Sequence, residues 1–500
     1  MRNHENLLPV ILDPLSVRGI SVAFPRSEEC DCACPISLDQ KLQWHLETEI
    51  DRTAKYVCGS DIVEVPLDSN YRALFNPYSQ GGVIVINGTA YRIYDAFRRP
   101  LSLEEISSGE FSYVYGLERS IQQLTQFGII HPQDRDRQHH FETSKILTAW
   151  LHITNACSLR CSYCYLQKNR EEMDESTGKA AIDAIVKSAI SHGFQGINLK
   201  YAGGEPTLNY RLILTLHDYA RKLTLEKGLE LRGVILSNGI SFSSKMIEEM
   251  KSRHIEWMIS LDGIGEFHNS QRKFETGKPS FGFVEKTINQ LIAFDSHPHL
   301  SITITGRNHA GIPDVVLFAL KRQLTFSLNF FRDTPGATQE NDLRYDEQQM
   351  IDSLFKTFAV IEKNLPPWSI LGAVLDRGQL VQPRQRPCGV GQEYIVVDQR
   401  GRIAKCHMEI EKTIGNVFED DPVLLVRQNQ DDVRNIPVNE KEGCRDCTWR
   451  YWCSGGCPAA TYQVTGRYDV ASPNCNIYKA IYPAAIRLEG LRLLKYANVQ

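Results

Sequence analysis

Three cysteines stand within NACSLRCSYCYLQ, residues 155–167: Cys157, Cys161 and Cys164. Thiolates are soft ligands that suit zinc or iron–sulfur. A structural zinc or a cubane takes four ligands, and no further Cys or His follows closely behind Cys164. Two chemistries fit this count. One is a zinc loop with a distant fourth ligand. The other is a [4Fe–4S] cluster with one iron free for a non-protein ligand.

A second field reads Cys388-x12-Gly401-x4-Cys406, then Cys444-x2-Cys447-x5-Cys453-x3-Cys457-x17-Cys475. Cys-x2-Cys spacing also suits a zinc ribbon. A third group, Cys30, Cys32, Cys34 and Cys58, carries CDCAC in EECDCACP. It reads as incidental thiols or a minor metal role. Disulfides are rare in the cytosol, so fourteen cysteines point to metal.

Composition bounds the rest. The chain has 500 residues, 42% hydrophobic and 23% charged, enough for roughly three globular domains. Net charge is −4, so no nucleic-acid partner is expected. No apolar run is long enough to span a bilayer. The apolar stretch in MRNHENLLPVILDPL is short and lacks a small-residue cleavage site, so the expected location is the cytosol.

The elements that must position these residues alternate in type. Strands are expected at 147–154, 196–204, 231–239, 256–263, 299–306 and 325–333, with amphipathic helices between them. Such alternation predicts parallel strands with right-handed crossovers. The fold class is α/β, a partial TIM-like (βα)6 barrel whose chemistry lies at the C-terminal strand ends. Ahead of it, DIVEVP, YRALFNP and GVIVING predict short strands, the last closed by an Asn-Gly turn. Helices follow, one opened by a Ser102–Glu105 capping box and one over 112–127 stopped by Gly128. This is a winged-helix-like α+β module. The expected division is 1–60, an extension with some helix near KLQWHLETEIDRTAKYV; 61–135, the module; 146–335, the barrel; 336–385, a helical bridge; 386–482, a loop-rich cysteine domain with little core of its own; and 483–500, a terminal helix.

CSLRCSYC, with Tyr163 before its last cysteine, resembles the CxxxCxxC loop of the radical SAM superfamily. The resemblance implies a [4Fe–4S] cluster on Cys157, Cys161 and Cys164 whose free iron is chelated by S-adenosylmethionine. It further implies reductive cleavage to a 5′-deoxyadenosyl radical, hydrogen abstraction, and a flavodoxin- or ferredoxin-type electron donor. AGGEPTL (202–208) is similar to the family's GGEP motif, which implies contacts of Gly203, Gly204 and Glu205 with the methionine amino group. LSNG implies Ser237 at the ribose. SLDGIGEFHNSQR (260–272) is similar to the SLDG…HD-x-x-R pattern, implying that Arg272 pairs with the cofactor carboxylate and Asp262 orients the site. It departs from that pattern at Asn269.

The second cysteine field matches the seven-cysteine motif of SPASM domains. That implies two auxiliary [4Fe–4S] clusters, on Cys444, Cys447, Cys453 and Cys475 and on Cys388, Cys406 and Cys457, making three clusters in all. The second auxiliary set is one ligand short. Some relatives supply a cysteine six residues before the first, where this chain has Gln382. Residues 61–135 resemble the leader-recognition element of maturases of ribosomally made peptides, and an exposed strand edge there suits β-augmentation by an extended leader.

The implied function is hydrogen abstraction from a precursor peptide, giving a thioether or carbon–carbon crosslink. Sulfatase-maturating oxidation of Cys or Ser to formylglycine is an alternative. Those enzymes place an Asp base directly after the Gly-x4-Cys cysteine, where this chain has His407, the one candidate for a catalytic side chain. A dehydrogenase of a small alcohol or thiol carrier also fits the motifs. So does an iron–sulfur electron carrier or scaffold that does not use S-adenosylmethionine.

Overall fold

A computed structural model describes residues 8–14, 50–59, 61–79, 82–134, 141, 144–333, 340–372 and 376–497. Cys30, Cys32, Cys34, His139 and His140 lie outside them.

The first strands are β1 (Ile11–Leu12), β2 (Tyr56–Cys58), β3 (Val63–Pro66), β4 (Tyr71–Phe75), β5 (Ile84–Asn87) and β6 (Ile130–Pro132). Four of them form an antiparallel sheet ordered β1-β5-β4-β3, while β2 pairs with β6. Helices Gly88–Ala96, Leu103–Ser108 and Leu117–Gln126 cover one face, burying Ile93, Ile106, Ile121 and Leu124 with Leu74, Ile84 and Ile86. The capping box is present: Glu105 N donates to Ser102 Oγ at 3.2 Å and Ser102 N donates to Glu105 Oε2 at 2.7 Å.

Two expectations change here. Asn87-Gly88 is not a hairpin turn, because the Asn87 side chain accepts from Ala90 N and caps a helix instead. Asn is as good an N-cap as a turn residue, so the dipeptide alone does not decide. Strand pairing also crosses residue 60. Tyr56–Cys58 is strand rather than helix, since its partner Ile130–Pro132 lies far along the chain, and Ile11–Leu12 joins the sheet from the supposed extension.

The large sheet contains β7 (Ile146–Thr154), β9 (Gly196–Gly203), β10 (Glu230–Ser237), β11 (Ile255–Ser260), β13 (His299–Ile304) and β14 (Phe326–Phe330), all parallel and in sequence order. Between them, β8 (Leu159–Cys161) and β12 (Arg272–Phe274) pair as a separate antiparallel ribbon. Helices at 175–191, 210–227, 244–251, 281–293 and 312–321 make the crossovers. Asp174 opens the first by accepting from Thr177 N at 2.7 Å.

The sheet does not end at its sixth strand. β15 (Tyr394–Val397) lies parallel to β7, and β16 (Arg402–Ala404) and β17 (Thr413–Asn416) follow antiparallel. The cysteine-rich segment has little core of its own, as expected, and shares that of the sheet: Ile395, Val397 and Trp452 are buried in one cluster with Leu147, Ala149 and Leu151, and Tyr394 and Val396 in another with Trp150 and Ala202. An apolar YIVV run covers the open edge of β7, as an unpaired ladder favours. The terminal helix also begins earlier than expected, at Cys475, and runs to Tyr496 with Pro483 inside. A proline commonly marks a helix break. Here burial of Ile477, Ile481, Tyr482, Ala485 and Ile486 on both sides of it holds the helix together.

Five imidazoles are buried among the described residues: His152, His217, His268, His299 and His407. Burial pushes His299 down to about 3, and Lys200 adds to that. Its Nδ1 shares a 2.9 Å hydrogen bond with Thr325 Oγ1. The folded state prefers the neutral ring, so this stability is complete above the unfolded value of 6.5 and falls as pH drops from there toward 3. By about pH 5.5 the loss is on the order of 1 kcal/mol per such ring. Urea unfolding at about pH 7.5 and pH 5.5 will show that drop, and His299→Gln will reduce it by roughly 1 kcal/mol. An unchanged drop in the variant removes His299 from the account.

Candidate functional site

The cysteine loop leaves the end of β7 and is pinned by the β8–β12 ribbon, which sets Cys161 opposite Arg272. Leu159 N donates to Cys157 Sγ at 3.4 Å, and Asn238 Nδ2 approaches the same sulfur at 3.7 Å. Burial pushes the Cys157 and Cys161 thiols up; Arg272 opposes this at Cys161. Thiols that ionise at such cost are stabilised as ligands of a cation. Among the described residues no three Cys, His, Asp or Glu side chains converge as one metal ion requires. A cubane takes one thiolate per iron, so its ligands stand farther apart.

Beyond the loop, β9 ends in Gly203 and Gly204. Gly203 has φ +145, and a Cβ there would sit 2.3 Å from Thr154 O; one on Gly204 would sit 2.3 Å from Ala156 O. Both glycines are thus required by the close approach of β9 to the NAC backbone, where Gly204 N donates to Thr154 O. Glu205 is buried and accepts from Thr207 N, Thr207 Oγ1, Ser237 Oγ and Asn238 N, at 3.1, 2.6, 2.8 and 2.7 Å. Its carboxylate stitches the ends of β9 and β10 together and stands outside the cavity wall. The Ser237 hydroxyl lines the cavity but donates to Glu205.

Asp262 is fully buried behind the wall. It accepts from Tyr163 Oη at 2.6 Å, Gln271 Nε2 at 2.9 Å and Thr303 N at 2.9 Å, and stands 3.7 Å from Arg272 Nη1. Arg272 also donates to Tyr163 Oη, while its Nε is buried without a partner. Asn269 accepts from Ser280 N and Phe281 N at 3.0 Å each. A carbonyl oxygen serves that purpose as well as a carboxylate, so Asn suffices at this position.

One cavity joins these parts. Its wall runs from Cys157, Cys161 and Cys164 past Gly203, Gly204, Ser237, Asn238 and Arg272 to Arg332, His407 and Met408. The cavity within this wall has a volume of about 200 Å3. His407 stacks on Trp150 with ring centroids 4.5 Å apart, and its Nδ1 meets Tyr394 Oη at 2.9 Å. Burial, with Arg377, Arg332 and Lys200, holds its pKa well below the usual imidazole range, so the ring is neutral. Tyr165 meets the same ring edge-on.

Behind that far wall lie the other cysteines. Cys406 feels the charges of Cys457 and Cys388, whereas Cys444, Cys447, Cys453 and Cys475 act on one another. Burial pushes the Cys457 thiol up, but the Arg332 and Arg377 guanidiniums outweigh it and lower the pKa. Lys441 is fully buried between the two sets, acting on Cys444, Cys388, Cys453 and Cys457. Gly455, at φ +78, leaves room for it: a Cβ there would stand 2.5 Å from Lys441 Cδ. Gln382 offers no thiol, and its backbone is tied to the Gln379 side chain. Cys58 lies apart, in β2. Tyr163, Asn238, Gln271, Arg332 and Lys441 were not legible as site residues. Tyr163, Asn238 and Gln271 stood inside motifs read from the sequence without a role of their own, whereas Arg332 and Lys441 stood in none.

The donor set fits an S-adenosylmethionine-binding cluster: three thiols in one wall, a glycine-lined strand end and a buried guanidinium with an unused donor. Residues 151–319 match the radical SAM superfamily. A cysteine-type anaerobic sulfatase-maturating enzyme of Clostridium novyi is 24% identical over 330 residues, 60% of this chain and 84% of that protein. The antilisterial bacteriocin subtilosin biosynthesis protein AlbA of Bacillus subtilis is 25% identical over 293 residues; the match covers 55% of this chain and spans 58% of that protein's length. The solved structure of anSMEcpe with bound AdoMet and the Cp18Cys peptide shares the fold, with a TM-score of 0.58 at 18% identity over 71% of this chain and 99% of that one.

Proposed function

We propose, from a chain whose residues 151–319 form a radical SAM domain, that this enzyme abstracts a hydrogen atom from a residue of a ribosomally made precursor peptide and so forms a thioether or carbon–carbon crosslink. The observation that carries this reading is the single cavity reaching from Cys157, Cys161 and Cys164 to Arg332 and His407, against the second cysteine field. The likeness to AlbA supports a peptide substrate.

With S-adenosylmethionine and a [4Fe–4S] cluster bound, the site supplies homolytic C–H cleavage, and the cofactor carries that chemistry. The chain's own residues position it. Cys157, Cys161 and Cys164 hold the cluster. Asp262 and Tyr163 hold Arg272, whose guanidinium would pair with an anionic group of the cofactor. Trp150 and Tyr394 fix the His407 ring in the opposite wall, where it contacts substrate. Cys444, Cys447, Cys453 and Cys475 would hold one auxiliary cluster and Cys388, Cys406 and Cys457 another, and such clusters would supply one-electron redox chemistry. Electrons for cofactor cleavage come from a flavodoxin- or ferredoxin-type donor in the cytosol.

The test is anaerobic reconstitution followed by dithionite. Methionine and 5′-deoxyadenosine should appear, and a peptide co-expressed with the enzyme should lose the mass of two hydrogens. Cofactor cleavage without any peptide mass change, across peptides encoded beside the gene, would sink the crosslinking claim. The Clostridium novyi relative favours a second reading. There, a Cys or Ser peptide gains an aldehyde that a hydrazide probe labels, which crosslinking does not produce.

A further inference from the structure

Lys441 has no exposed surface. A lysine is almost never sealed in without an anion beside it. Among the described residues no carboxylate forms an ion pair with this one. Its ammonium has a single protein acceptor, Gly455 O at 3.5 Å, a long bond for a group with three donors. Burial lowers its pKa, and four cysteines oppose that: Cys444, Cys388, Cys453 and Cys457, two from each of the sets described above.

The backbone places the side chain there from three directions. Val438 N donates to Gln385 O at 2.8 Å, which lays the Val438–Glu440 turn against the chain just before Cys388. Lys441 O accepts from Cys444 N at 3.2 Å. On the other side, Ser454, Gly455 and Gly456 link Cys453 to Cys457 with φ of +50, +78 and +70. Three consecutive left-handed residues bring this turn onto the lysine, and a Cβ on Gly455 would stand 2.8 Å from its Nζ. Ser454 takes a conformation that costs a side-chain-bearing residue energy, and its hydroxyl secures it by donating to Arg384 O at 2.9 Å.

We propose that Lys441 is a counter-charge shared by the two auxiliary cysteine sets, and that it sets the reduction potential of the clusters they hold. This rests on reading both sets as [4Fe–4S] sites. A buried ammonium that faces thiols and no carboxylate suits such sites. Reduction by one electron adds one negative charge beside Lys441. A cation in a buried, weakly screened position favours that state, so it raises the potential. Both sets feel it, because each contributes two of the four thiols. Cys157, Cys161 and Cys164 line the opposite side of the cavity and should not.

The test is an anaerobic redox titration of the reconstituted full-length enzyme, read by electron paramagnetic resonance of the reduced clusters. Lys441→Met and Lys441→Gln remove the charge, and the glutamine keeps a donor for Gly455 O. In both variants the reduced-to-oxidised ratio of each auxiliary cluster, taken at the parent's midpoint, should fall about tenfold, which is 59 mV for a one-electron couple. Lys441→Arg should hold the parent's ratio, and the cluster on Cys157, Cys161 and Cys164 should keep its potential in all variants. Unchanged potentials in the neutral variants overturn the proposal. An equal fall in Lys441→Arg assigns a packing role and overturns it too, as does a fall confined to one auxiliary cluster. Should both neutral variants lose the auxiliary iron, Lys441 serves loading or packing rather than potential, and the proposal is again overturned. Iron content separates the two readings. A parent that loads about four irons per chain instead of about twelve has no auxiliary clusters, and that reading fails; about twelve irons with unmoved potentials fails Lys441 alone.

Discussion

Cys157→Ala/Cys161→Ala/Cys164→Ala will bring S-adenosylmethionine cleavage below detection and remove about four irons per chain. The three side chains share one cavity wall, on a loop that the β8–β12 ribbon pins in register. None is replaceable by a neighbour, because among the described residues no other cysteine lines that wall. The seven cysteines of residues 388–475 stand behind the far wall, so iron held there under the proposed reading should survive the substitution. The measurement is iron per chain together with 5′-deoxyadenosine after reduction. Loss of all iron would mean that the two fields do not load independently. Full iron content with lost cleavage would move the cluster to other ligands.

Asp262→Ala will destabilise the fold by about 3–5 kcal/mol, the cost of removing one partner from a buried ion pair. The carboxylate accepts three hydrogen bonds and is the acid beside Arg272, whose side chain is itself 8% exposed. Alanine leaves a guanidinium sealed in the wall with Tyr163 Oη and Cys161 as its neighbours. Asp262→Asn keeps the shape and one acceptor oxygen, so it will cost less, roughly 1–3 kcal/mol. Denaturant unfolding of both variants orders them. A change under about 1 kcal/mol for the alanine variant would show that Arg272 finds another partner. Weakened S-adenosylmethionine binding by the asparagine variant would show that the pair also positions Arg272 toward the cofactor.

Much of this protein was legible in its sequence because the signals were local. Six apolar runs between amphipathic helices gave the parallel order of β7, β9, β10, β11, β13 and β14. Ser102 and Glu105, three residues apart, gave their capping box. Cysteine spacing gave the loop at 157–164 and the field at 388–475, and the resemblance built on them led to the superfamily that residues 151–319 match.

What the tertiary structure alone decided lies between residues far apart in the chain. β15 closes the edge of β7, so the large parallel sheet and the cysteine-rich segment are continuous. β1 covers β5. The Glu205 carboxylate turns to Ser237 and Asn238 rather than into the cavity, and Gly203 and Gly204 are glycines because the NAC backbone passes within reach. Lys441 is buried among thiols with nothing beside it in sequence to announce it. Period and spacing report how a segment meets its immediate surroundings. They do not report which open edge, or which unpaired donor, folding later brings to it.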